Sequence, residues 1–138
     1  MIEVDITFTD YANPPFGMPP DIVLDLPCPP SVNKVRRVDW SSVRVVKAWQ
    51  NVSNAYVLAA KGRANSPLKL VKVPRFELHI VMSEHHTRID LDNGLKALID
   101  YLRKIELIED DSPQHMRRLI VEWGLAPFGC RVTVKPCP

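Results

Sequence analysis

A change of apolar period midway along the chain constrains the fold most. Phe76, Leu78, Ile80 and Met82 alternate with Glu77, His79 and Val81, the two-residue period of a strand. Leu95, Leu98, Ile99, Leu102 and Ile105 then recur at helical spacing, and His115 to Trp123 is strand-like again. The result is a β-α-β unit whose helix buries its apolar stripe only by packing on the sheet. Charge brackets that helix. Arg88-Ile89-Asp90-Leu91-Asp92-Asn93-Gly94-Leu95-Lys96 precedes it, Asp110-Asp111 follows it, and Lys96 stands one turn beyond Asp92. Carboxylates within about 4 Å of one another repel by roughly 4 kcal/mol per pair at an effective dielectric near 20. Protonation or a divalent cation relieves that repulsion. Capping by Asp92 or Asn93 accounts for the first acids. It does not account for Arg88 and Lys96 beside them, nor for an acidic pair at the far end of the helix, where carboxylates oppose the helix dipole. A cation site is the reading that covers all of these residues.

The remaining chain supplies partners for this unit. Ile22-Val23-Leu24-Asp25-Leu26 reads as a buried strand stopped by Pro27-Cys28-Pro29-Pro30. From Ser41 or Ser42, either a good N-cap, Val45, Val46, Trp49, Val52, Tyr56, Ala59 and Ala60 mark an amphipathic helix that Lys61-Gly62 ends. Trp49 and Tyr56, on the apolar stripe, are read as core anchors rather than stacking platforms, and Arg44 and Lys47 lie off the stripe. A last strand alternates Cys130, Val132 and Val134 with Arg131, Thr133 and Lys135. The fold expected is α+β, one compact domain over residues 22–138 with a mixed sheet and two main helices in the order β-α-β-α-β-β. Residues 1–21 form an N-terminal arm. Its Ile2, Val4, Ile6 and Phe8 have the alternation of an added edge strand, and Asn13 to Pro20 is too rich in proline for regular structure.

At 138 residues, 46% of them hydrophobic, the chain is long enough for one real core. No apolar run approaches the roughly 18 residues that span a bilayer. The start lacks the basic and apolar regions of a signal peptide, so a cytoplasmic protein without membrane contact is expected. Cys28, Cys130 and Cys137 are odd in number and form no Cys-x-x-Cys, which suits reduced structural thiols. Five of the 16 acids precede Lys34 and no Lys or Arg does, so all 18 bases face 11 acids in residues 34–138. That basic body suits a polyanion such as nucleic acid. Asn33, Lys34, Arg36 and Arg37 make a basic turn that either contacts phosphate or is a solvated loop in which Asn33 caps a turn. Lys61 to Lys72 is a second basic loop able to track a backbone.

Two motifs fail on spacing. Counted from Asp90, the positions where a calcium-binding EF-hand loop needs an oxygen ligand, glycine and glutamate hold Gly94, Leu95 and Tyr101. The Asp-x-Asp nucleophile of dehalogenase-type phosphatases needs a larger α/β domain than follows here. His85-His86 lacks the His-x-His or His-x-x-x-His spacing of a zinc site and reads as loop.

Leu26-Pro27-Cys28-Pro29-Pro30-Ser31-Val32-Asn33 and Arg88-x-Asp90-Leu91-Asp92-Asn93-x-x-Lys96-Ala97-x-x-Asp100-x-Leu102, followed by Asp110-Asp111-Ser112-x-Gln114, resemble the RusA-type Holliday junction resolvases. The resemblance covers residues 22 to 135. Departures are Gly94 within the Asp-Asn-x-x-Lys run, Ile105-Glu106-Leu107 where that family tends to have a glycine-containing turn, and the acidic arm before Ile22. The resemblance implies that Asp90, Asp92 and Asp111 bind Mg2+, for which Mn2+ substitutes, with Lys96 as an essential neighbour. Asp110 is then a helper and Asp100 the partner of Lys96. Arg88, with the basic turn at Asn33, Lys34, Arg36 and Arg37, would contact DNA. It further implies a homodimer that resolves four-way junctions by paired symmetric nicks, a twofold protein on a twofold substrate. Three other activities fit the same residues: a nuclease for other branched or flap DNA, a non-catalytic junction-binding protein, and a small phosphatase.

Overall fold

The computed structural model describes residues 20–31, 40–62, 72–85 and 90–138. Six elements follow in order: β1 (Ile22–Pro27), α1 (Trp40–Lys61), β2 (Phe76–Ser83), α2 (Leu95–Lys104), β3 (Met116–Gly124) and β4 (Gly129–Pro136). The order is β-α-β-α-β-β, and the fold is the expected single small α+β domain. Four elements are strands of one sheet, arranged β1-β4-β2-β3. β4 pairs antiparallel with both β1 and β2, whereas β2 and β3 run parallel. A parallel pair needs a crossover, and α2 supplies it. The N-terminal strand expected over Ile2–Phe8 and most of the proline-rich arm lie outside the described residues.

Alternation decides which sheet face is buried. Ile22, Leu24 and Leu26 of β1, Phe76, Leu78, Ile80 and Met82 of β2, and Cys130, Val132 and Val134 of β4 share one core with the helices. The intervening Asp25 and Arg131 pair across β1 and β4 through two bonds, Nε to Oδ1 at 2.7 Å and a second guanidinium nitrogen to Oδ2 at 3.0 Å. On β3 the register sets Leu119 beside Leu78 and Trp123 beside Met82, but at the outer strand both stay partly exposed. Gly129, with φ of 128°, lies so close to Cys28 that an added Cβ would stand 2.6 Å from its backbone nitrogen. Only glycine fits that crossing. The three thiols are free, as expected; burial pushes the Cys130 thiol up, which suits a core role.

α1 buries a different face from the one its apolar residues suggest. Trp49, Ser53 and Val57 are buried and Val46, Gln50, Tyr56 and Ala60 are partly so, while Val45 (53%), Val52 (51%) and Ala59 face solvent. Trp49 is the anchor expected: its indole N–H donates to the Pro27 carbonyl at 2.9 Å, and its ring meets Tyr101 edge-on at 5.2 Å. Tyr56 packs less deeply, edge-on to Phe128 at 5.1 Å. α2 buries Ala97, Leu98, Ile99, Tyr101 and Leu102, with Leu95 and Ile105 against the same core.

At the end of α2, Leu107 N–H reaches the Leu102 carbonyl and Glu106 N–H the Arg103 carbonyl, both at 3.0 Å. This is the paired closure of a helix that turns left-handed after its last residue, and Glu106 takes the turn with φ of 60°. The next residues are tied to the chain before β2. Val73 N–H donates to the Leu107 carbonyl at 2.9 Å and Glu109 N–H to that of Val73 at 3.1 Å. Among the described residues, no helix is long and apolar enough to cross a membrane.

Candidate active site

The turn before α2 is built on main-chain bonds. Asn93 N–H donates to the Asp90 carbonyl at 3.1 Å and Leu95 N–H to that of Asp92 at 3.2 Å. The N-cap is Gly94, and no side chain caps the helix. The expectation that Asp92 or Asn93 would cap is therefore corrected: two successive backbone bonds make the turn, so no carboxylate is needed to start it. Leu91 packs against the core between two exposed neighbours, which leaves Asp90 and Asp92 on the surface. Among the described residues, neither carboxylate has a hydrogen-bonding or ion-pair partner.

Lys96 lies one turn on, with its side chain 76% exposed and its ammonium 3.3 Å from Asp100 Oδ2. That i,i+4 pair is the partnership expected. Arg103 extends it, standing 3.6 Å from Asp100 Oδ1 and, through Nε, 3.5 Å from Asp110 Oδ1. Alternating charges thus run from Lys96 through Asp100 and Arg103 to Asp110. The sequence reading did not single out Arg103, although its i,i+3 spacing from Asp100 was the available signal.

Asp110 is occupied by local structure. Its Oδ1 accepts the Asp111 N–H at 2.8 Å, and chiefly that bond, with help from Arg103, holds its carboxyl below the usual carboxylate range. Asp111 itself is exposed. Asp90 and Asp92 stand at the N-terminal end of α2 and Asp110 at its C-terminal half, and ten helical residues span about 15 Å. Among the described residues, no three His, Cys, Asp or Glu side chains come together as a group able to hold a metal ion. Asp90 and Asp92 are thus neighbours on one turn, and Asp111 is not brought into a three-carboxylate group with them.

His85 is exposed, with its backbone N–H on the Ser83 hydroxyl at 3.3 Å. His86 lies outside the described residues, as do Asn33, Lys34, Arg36, Arg37 and Arg88, the side chains expected to contact DNA, and most of the basic loop from Lys61 to Lys72. No protein-family model matches the chain, and no curated protein matches its sequence.

Proposed function

We propose that this chain is a magnesium-dependent endodeoxyribonuclease of the cytosol that acts as a homodimer and resolves four-way DNA junctions by paired symmetric nicks. The observation that carries the reading is the state of Asp90 and Asp92. Both are exposed on one turn, neither caps α2, and Lys96 lies one helical turn away. Among the described residues no side chain engages either carboxylate, so both are available to ligate a cation from one turn.

The donor set fits magnesium. It is a hard cation held through one or two carboxylates plus substrate phosphates while keeping several waters, so two carboxylates on one turn form a sufficient protein share. Asp90 and Asp92 would hold the ion, and Asp111, which the resemblance adds, would complete the set. Bound there, magnesium would supply charge neutralisation at the scissile phosphate and acidify a water. Lys96 would bring its ammonium to the phosphate oxygens, where negative charge grows during phosphodiester hydrolysis. Asp100 would keep that ammonium directed along the exposed face of α2 until substrate arrives.

The test uses the purified chain, a synthetic four-way junction and magnesium or manganese. Symmetric nicks in strands of like polarity are expected. Failure to nick in any divalent metal while the junction is still bound would leave a non-catalytic junction-binding protein. Equal cleavage of flaps and forks would move the assignment to other branched DNA, and release of inorganic phosphate from small esters with indifference to DNA would replace both.

A further inference from the structure

One exposed face of α1 has a charge pattern that the core does not explain. Arg44, Lys47, Asn51, Asn54, Leu58 and Lys61 follow one another at intervals of three and four residues, so they share one face of the helix. None of the 22 residues from Trp40 to Lys61 is Asp or Glu. A fourth cation joins from α2: Lys104 donates to Gln50 Oε1 at 3.0 Å, which puts its ammonium beside the turn that carries Lys47.

Of the twelve Lys and Arg among the described residues, four are paired with acids and eight are not; of the eight, Arg75, Arg117, Arg118 and Lys135 lie away from α1, and the other four gather on or beside it. Lys72, Lys96, Arg103 and Arg131 stand within ion-pair distance of acids. Arg44, Lys47, Lys61 and Lys104 are all exposed and, among the described residues, have no ion-pair partner. Between them lie amides, Gln50, Asn51 and Asn54, rather than carboxylates. The face is acid-free, with Arg44 and Lys47 one turn apart, Lys104 beside them and Lys61 about 21 Å further along the axis, which suits a polyanion long enough to meet both ends. From Arg44 to Lys61 the helix rises about 25 Å, and a DNA duplex carries one charge per about 1.7 Å of axis, so the face is long enough to meet several successive phosphates.

We infer that the Arg44–Lys47–Lys61 face of α1, with Lys104, is a docking surface for the phosphate backbone of nucleic acid. Its residues are separate in sequence from Asp90 and Asp92 and from the basic stretch Lys34 to Arg37. The inference rests on the nuclease reading only for the identity of the nucleic acid; the charge pattern stands without catalysis. Contacts to phosphate fix register and orientation and carry no sequence information, so this face would hold the arms of a branched substrate while specificity arises elsewhere.

The test measures binding of the full chain to a labelled duplex and a labelled four-way junction in EDTA, where no cleavage interferes. Arg44→Gln, Lys47→Gln, Lys61→Gln and Lys104→Gln combined should weaken binding at least about tenfold at 0.1 M salt, and should reduce the slope of log K against log salt by about 3 to 4. Arg118→Gln, an exposed cation on β3, is the control and should change the slope by no more than about 1. Unchanged affinity and slope in the combined variant would overturn the inference, as would an equal loss in the control. Should the combined variant fold poorly, the pair Lys47→Glu and Lys104→Glu gives the same reading. Nicking activity separates the two claims: an α1 variant with unaltered slope and full nicking sinks this surface alone, whereas a chain that never nicks but binds through α1 sinks only the nuclease.

Discussion

The Tyr101 hydroxyl donates to Asn54 Oδ1 at 2.8 Å, joining α2 to α1 at a point where the ring is buried against Trp49. Burial raises the Tyr101 pKa from its ordinary 10.0 to about 12. In the unfolded chain the phenol ionises near pH 10, while in the folded chain it keeps its proton to higher pH. The unfolded state then binds fewer protons, so stability is intact below about pH 10 and falls as pH rises toward 12. Tyr101→Phe should remove this component. Denaturant unfolding of both proteins near pH 8 and near pH 11 is the measurement: the variant should be about 1 kcal/mol less stable at the lower pH, from the lost bond, and should lose less on going to the higher.

Glu106 occupies the left-handed position that ends α2, where an L side chain costs roughly 1–2 kcal/mol and glycine costs nothing sterically. Its ion pair with Lys72, 3.7 Å long and exposed, returns between 0 and about 1 kcal/mol. Glycine also loses more chain entropy on folding, by roughly 0.5–1 kcal/mol. Strain is the largest of the three, so Glu106→Gly should stabilise the domain by up to about 0.5 kcal/mol, read as a higher denaturation midpoint with an unchanged denaturant slope.

Ser53 sits on the buried face of α1 with its hydroxyl oxygen enclosed and no hydrogen-bond partner among the described residues. A buried hydroxyl left without a partner costs about 1–3 kcal/mol, and alanine is in addition the better helix former. Ser53→Ala should therefore raise stability by about 1 kcal/mol in the same unfolding measurement. A decrease would mean that the hydroxyl has a partner after all.

Ser53 also shows why part of the fold was legible in the sequence and part was not. The strands could be read because each buries one face completely: Phe76, Leu78, Ile80 and Met82 all lie in the core, so apolar period and burial coincide. α2 could be read for the same reason. On α1, valine and alanine occur on both sides of the buried stripe, so Val45, Val52 and Ala59 drew the reading toward solvent while Ser53 and Gln50 went inward. Composition cannot fix the rotation of a helix when small apolar residues surround it; packing against Pro27 and Tyr101 does. The cap of α2 is not legible in residue types, because the main-chain bonds that build it do not depend on them. At the site, the Lys96–Asp100 pair followed from local spacing, whereas the position of Asp111 depends on how the chain from Leu107 to Glu109 is held by Val73.

That dependence separates two adjacent acids that sequence alone treats alike. Asp110 is engaged by the Asp111 N–H and by Arg103, so Asp110→Asn should disturb the loop and leave nicking within about tenfold of normal. Asp92→Asn should abolish nicking of a four-way junction while binding in EDTA is kept or tightened, because the change removes a metal ligand and a charge that repels DNA. Lys96→Ala should lower nicking by about 10²- to 10³-fold, the usual effect of losing one group that stabilises charge in the transition state. Asp111→Asn is the deciding variant. If Asp111 joins Asp90 and Asp92 when magnesium and DNA are present, the variant should nick as poorly as Asp92→Asn and need more magnesium to reach half its own maximal rate. If the two carboxylates on the turn before α2 are the whole protein share of the site, Asp111→Asn should behave like Asp110→Asn, and the magnesium dependence should not move. Nicking rates measured across a magnesium titration for the four variants distinguish the two arrangements.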